Sequence, residues 1–210
     1  TEGVYFSINR ENEFSAANID LVMAGKALYR DLMFYYDTLS MPEGAYSKVH
    51  RIHNDRTPVH FYYSVRIQPD RLPSDSDKLY LARITEEGDY IPHGGEWKDG
   101  MIAASLRSFG DFVVLIDTIP PGISSVNIAS GIIKKDRETV KIKIIDEQSG
   151  IQKYRASLNG SWVLMEYDAK NDLLIYYIDE HLKKGKNEFE LRVIDQRDNE
   201  SVFTKVLVRD

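Results

Sequence analysis

The chain has 210 residues, about one and a half domains at the usual ~150 residues each, so one large β domain or two smaller ones are the options. With 42% hydrophobic and 29% charged residues it can bury a core without metal or disulfide staples, and it is too apolar and too aromatic for disorder. A net charge of −6 argues against nucleic-acid binding by phosphate neutralisation, no apolar run approaches the ~20 residues of a membrane span, and the lack of cysteine excludes disulfides and thiolate chemistry.

The chain opens Thr1-Glu2-Gly3, without initiator methionine, basic n-region or apolar h-region, which predicts a processed or trimmed piece of a longer protein. In the first half, aromatic and β-branched runs predict strands near 4–8, 18–24, 27–36, 46–53, 59–68, 78–85, 101–107 and 111–117. Residues 26–36 have helical features, but the run is continuous, aromatic and poorly capped, so strand is favoured. The segment Asp117-Thr118-Ile119-Pro120-Pro121-Gly122 predicts a domain boundary, because two prolines remove backbone donors and stiffen the chain. Charge follows the same cut: residues 1–118 carry 12 basic and 18 acidic side chains, residues 119–210 carry 15 of each.

Beyond the boundary, seven strands are expected near 123–129, 139–146, 151–158, 161–167, 173–178, 187–195 and 202–208. The alternation in Val140-Lys141-Ile142-Lys143-Ile144 is the clearest, and turn signals such as Asn159-Gly160-Ser161 and Lys184-Gly185-Lys186-Asn187 punctuate the runs. The expected fold is all-β: two tandem antiparallel β-sandwich domains, 1–118 and 119–210, the second immunoglobulin-like.

The segment His93-Gly94-Gly95-Glu96-Trp97-Lys98-Asp99-Gly100 is the most site-like stretch. Three glycines free the backbone, Trp97 offers a stacking face, and Glu96, Lys98 and Asp99, with His93 beside them, offer polar contacts for a carbohydrate or peptide. The competing structural reading is a wide hairpin whose Trp97 caps the core over glycines at positive φ. His50 and His53 would share a helix face, but on a strand they point apart, so no metal site is expected there. Asp117, Asp146, Asp195 and Asp198 fall at strand ends near the junction, without the tight spacing of a calcium loop, and turn-capping is the better reading. Neither a nucleophile elbow nor a phosphate-binding loop occurs, and Lys183-Lys184-Gly185-Lys186 reads as a solvated turn tip.

The junction Asp117-Thr118-Ile119-Pro120-Pro121 leads to Asp146-Glu147-Gln148-Ser149-Gly150-Ile151, Tyr154-Arg155-Ala156, Asn159 to Asp168 and Leu182 to Asn187. That succession resembles the immunoglobulin-like tail of large secreted zinc endopeptidases of the lysostaphin type from Gram-negative anaerobes. Ala27 to Asp31 and Ser108 to Val114 are similar to the segment joining peptidase and tail in those proteins. One departure is Asp198-Asn199, where such tails often carry Gly-Asn. The family binds zinc through an H-x-x-x-D element and a later H-x-H element, and neither occurs in this sequence. The resemblance therefore implies a non-catalytic accessory region, with no cofactor of its own and zinc only in a catalytic domain preceding Thr1. Its implied partners are that N-terminal peptidase domain and peptidoglycan or an envelope protein, in the periplasm or outside the cell. A stand-alone envelope module that binds glycan or protein is the alternative.

Overall fold

Apolar side chains at every second position need a sheet face to bury them, and the computed structural model, which describes residues 2–210, answers that need throughout. The fold is all-β, with one short 3-10 turn at Ser76–Lys78 and no α-helix among the described residues. No helix there is long and apolar enough to cross a membrane. The chain divides into two units at the Asp117–Thr118 bond.

Unit 1 contains β1 (Val4–Phe6), β2 (Asn12–Ala16), β3 (Ile19–Met23), β4 (Leu32–Phe34), β5 (Tyr36–Leu39) and β6 (Val49–Ile52). It continues with β7 (Pro58–Ile67), β8 (Leu79–Ile84), β9 (Tyr90–Gly94), β10 (Glu96–Lys98), β11 (Met101–Ser108) and β12 (Gly110–Ile116). One sheet has the order β10-β11-β7-β3-β2, a second has β5-β6-β12-β8-β9, and β1 pairs with β4 as a separate ribbon. Ile19, Leu21 and Met23 of β3, Tyr63, Val65 and Ile67 of β7, and Ile102 and Leu106 of β11 meet Ile52, Leu79, Leu81, Phe112 and Val114 of the other sheet in one core. The ribbon closes that core with Phe6 and Phe34, stacked 4.4 Å apart and each worth roughly 2–3 kcal/mol by burial.

Unit 2 contains β13 (Gly122–Ser125), β14 (Ile132–Ile133), β15 (Thr139–Ile145), β16 (Ile151–Leu158) and β17 (Ser161–Val163). Four more strands follow: β18 (Glu166–Asp168), β19 (Leu173–Tyr177), β20 (Gly185–Asp195) and β21 (Glu200–Arg209). The orders β13-β15-β19-β18 and β14-β21-β20-β16-β17 are those of an immunoglobulin-type sandwich, with the single parallel pairing between β14 and β21. Val140, Ile142 and Ile144 face Leu191, Val193 and Leu207 in its core.

Several boundaries differ from the sequence-based expectation, each for a local reason. The run 27–36 is not one strand. Asp31 accepts hydrogen bonds from Ile8 N, Ser7 Oγ and Tyr5 Oη, which bends the chain ahead of β4. At Tyr35 the path then leaves the ribbon for the second sheet, where β5 pairs with β6. The expected strand 161–167 is also two, because β17 and β18 belong to opposite sheets of unit 2. Strands β2, β9, β10 and β14 have no counterpart among the expected ones. The lysine-rich 184–187 segment, expected as a turn, already belongs to β20 from Gly185 onward.

Candidate functional site

The glycines of 93–100 are placed where the chain changes sheets. β9 pairs with β8 in the second sheet and β10 pairs with β11 in the first, so the backbone crosses at Gly95. Gly95 has φ of 105°, and a Cβ there would lie 2.7 Å from Ile102 Cγ2, so only glycine fits. After β10 the chain reverses through Asp99-Gly100, both at positive φ, as a two-residue hairpin requires between Lys98 and Met101.

That crossing separates the residues singled out in the sequence. Trp97 is paired with Ile102 and packs, partly buried, against the core of unit 1. Much of its indole is therefore spent on the core. His93 belongs to the second sheet, edge-on to Phe112 at 5.6 Å, where burial and then the Arg83 cation lower its pKa. Glu96 and Asp99 instead line a cleft of about 600 Å³ on the outer face of the first sheet. Strand register explains the cleft. Glu96, Ala103, Arg66 and Asp20 lie side by side across β10, β11, β7 and β3. Small side chains at Ser64, Ala103 and Ser105 make the floor, while Arg66, Glu96, Lys98 and Asp99 stand around it. Arg66 is steadied by Met101 Sδ at 3.2 Å, and Asp20 accepts Ser15 Oγ at 2.9 Å.

Arg66 and the floor went unnoticed in the sequence. Their signal was the small outward residues of β7 and β11, which only the pairing of these strands brings together.

The histidines have separate structural engagements. His50 is buried on β6 with Nδ1 2.8 Å from the Tyr36 hydroxyl, and desolvation lowers its pKa to about 4. His53 sits just past β6 at φ of 53°, with Nε2 3.1 Å from Thr57 Oγ1. His60 packs at a tilt against the rings of Tyr29 and Phe61. His181 shares Asp179 with the Tyr176 hydroxyl on an exposed turn, and Glu180 lies close by. The acidic residues act through turns. Asp146 accepts Gln148 N and Gly150 N ahead of β16, and Asp195 accepts Arg197 N, Asn199 N and Asn199 Nδ2 ahead of β21. Asp198 takes positive φ in the latter turn, and buried Asp117 donates its backbone N–H to Lys78 O.

Residues 3–117 match the model of a family described as Zu5-like domain. Among curated proteins no sequence matches the chain. Among solved structures, the chain is similar to one described as the extracellular domain of a hybrid two-component system from B. thetaiotaomicron. The two are 10% identical with a TM-score of 0.31, over 96% of this chain and 32% of that one, so the chain spans about a third of its length.

Proposed function

The chain belongs to the Zu5-like domain family, and we propose that it is a non-catalytic binding region of a cell-envelope protein, holding its ligand on the outer sheet face of unit 1. The observation that carries this reading is the cleft whose rim brings together Arg66, Glu96, Lys98 and Asp99 over a floor of small residues. Two cations and two anions around an open floor suit a polar ligand of mixed charge, such as a peptide carrying amines and carboxylates. All four charged side chains are exposed, so water screens them. Recognition needs no more than that, whereas acid–base chemistry draws on groups retuned by burial.

The resemblance of residues 117–121, 146–151 and 159–168 to the tails of lysostaphin-type zinc endopeptidases supports a more particular version. In it the chain serves such an enzyme as a periplasmic or secreted accessory region and docks on peptidoglycan, whose cross-linking peptides have the required mixed charge. A stand-alone envelope module with the same cleft is the alternative.

Co-sedimentation with purified peptidoglycan sacculi tests the reading. The chain is expected to sediment with sacculi, to release no soluble fragments with added zinc, and to bind about tenfold more weakly as the R66A–E96A double variant. Fragment release, no sedimentation, or unchanged sedimentation by the variant would each overturn it.

A further inference from the structure

Trp162 offers the stacking surface that Trp97 does not. It lies on β17, the edge strand of the five-stranded sheet of unit 2, and remains 54% exposed. A half-exposed indole forgoes much of the gain that burial would give it, so its surroundings bear on why it is there. Register places Trp162 opposite Ser157, Ser157 opposite Glu190, and Glu190 opposite Thr204. Cross-strand partners project to the same side, and Ala156, Leu158 and Leu191 take the core side, so this row belongs to the outer face. Leu164, 62% exposed, continues the apolar edge beside Trp162.

Next to the indole the face sinks into a cleft of about 650 Å³ over Ser157 and Thr204. Its outer-face charges are balanced: Arg155 stands against Glu188, Glu190 is already paired with Arg192 at 2.9 Å, and Lys205, opposite core Phe189, spends its amine on Ala129 O at 2.7 Å. Residues 119–210 as a whole carry 15 basic and 15 acidic side chains. Nothing there attracts a ligand of either sign. What remains is an aromatic plane beside hydroxyls and carboxylates that donate and accept hydrogen bonds.

We propose that this face binds an uncharged, extended oligosaccharide, one sugar ring lying on Trp162 and the next reaching over Ser157, Glu190 and Thr204. A pyranose ring matches the surface on both counts: its C–H face is apolar and packs on an indole, and its rim of hydroxyls both donates and accepts. An open sheet face accommodates an extended chain of such rings, whereas a charged ligand would gain nothing from the balanced walls. The site is independent of the cleft on unit 1.

The two tryptophans make the test direct. Indole N–H signals of the 15N-labelled full chain are followed by NMR during titration with chitotetraose and with cellotetraose, Trp162 being assigned from the W162F variant. The Trp162 signal should shift saturably with at least one sugar, with an affinity of about 1 mM, while the Trp97 signal stays in place. The W162A variant should bind at least tenfold more weakly, read from backbone amides of β16 and β20, and T204V about threefold more weakly. No response to either sugar, W162A binding as wild type does, or a response only to an extended proline-rich peptide would overturn the proposal.

Discussion

His50 lies on β6 with its imidazole out of water, Nδ1 beside the Tyr36 hydroxyl and Nε2 buried without a protein partner. A proton added there would have no solvation, and this desolvation lowers the pKa from 6.5 to about 4 against a smaller opposing pull from Asp70; Lys48 acts with the desolvation. Tyr36 is pushed the other way, to about 12, chiefly by burial and then by Asp70 and Asp37, so its hydroxyl keeps its proton across the working range. Because the folded pKa is depressed, folded and unfolded states are equally neutral above pH 6.5. Below it the unfolded chain takes up a proton that the folded one refuses. Stability should therefore fall as pH drops from about 6.5 to about 4 and change no further through His50 below that, for a total of about 3 kcal/mol. Urea unfolding of wild type and H50Q at pH 7 and pH 4.5 checks this. Wild type should lose about 2–3 kcal/mol more than H50Q over that interval, and parallel losses would remove His50 as the source.

At the scale of elements, Asn187 shows how a turn and a hairpin are tied to a strand start. It is buried near the beginning of β20, where its Nδ2 donates to Lys183 O at 2.7 Å and Gly185 O at 3.0 Å. Its Oδ1 accepts Lys183 N at 2.8 Å and Asn159 Nδ2 at 2.9 Å, joining the β16–β17 hairpin to the turn before β20. Replacement by alanine removes all four bonds at a buried position and leaves their part-buried partners unpaired, and N187A should destabilise unit 2 by about 2–4 kcal/mol in chemical denaturation. A loss below about 0.5 kcal/mol would mean that water or neighbouring groups replace the bonds. Elements such as β15 and β20 were legible because apolar residues alternate strictly along them and local pattern alone decides their faces. Strands β9 and β10 were not, because Pro92, Gly94 and Gly95 erase local propensity and only pairing with β8 and β11 makes them strands. The candidate site divides along the same line. Glu96 and Asp99 were visible as polar residues of a glycine-rich segment, but the inward turn of Trp97 depends on its register with Ile102. Arg66 and Ser64 reach the cleft through a pairing more than thirty residues distant, and the exposure of Trp162 follows from the edge position of its strand, which the sequence does not carry.

On the scale of the whole molecule, the two units differ in charge and share no core. The buried clusters of unit 1 draw only on residues between Phe6 and Ile116, and that of unit 2 only on residues between Ile123 and Leu207. Each strand also finds its hydrogen-bonding neighbours within its own unit. A sandwich of about 100 residues with a complete core can fold alone. Fragments 1–117 and 118–210, expressed separately, should therefore each show a cooperative thermal transition and a dispersed amide spectrum. Their response to salt should differ. The first fragment carries the entire net charge of −6, so screening relieves self-repulsion and its midpoint should rise between low salt and about 0.15 M, where the Debye length is near 8 Å. The second, with equal numbers of acidic and basic groups, should shift little. A non-cooperative transition in either fragment would show that its core needs the rest of the chain, and equal salt responses would show that local pairs rather than net charge govern unit 1. The first result would bear on ligand binding too, since a cleft on a sheet face keeps its geometry only while the core beneath holds the strands in register.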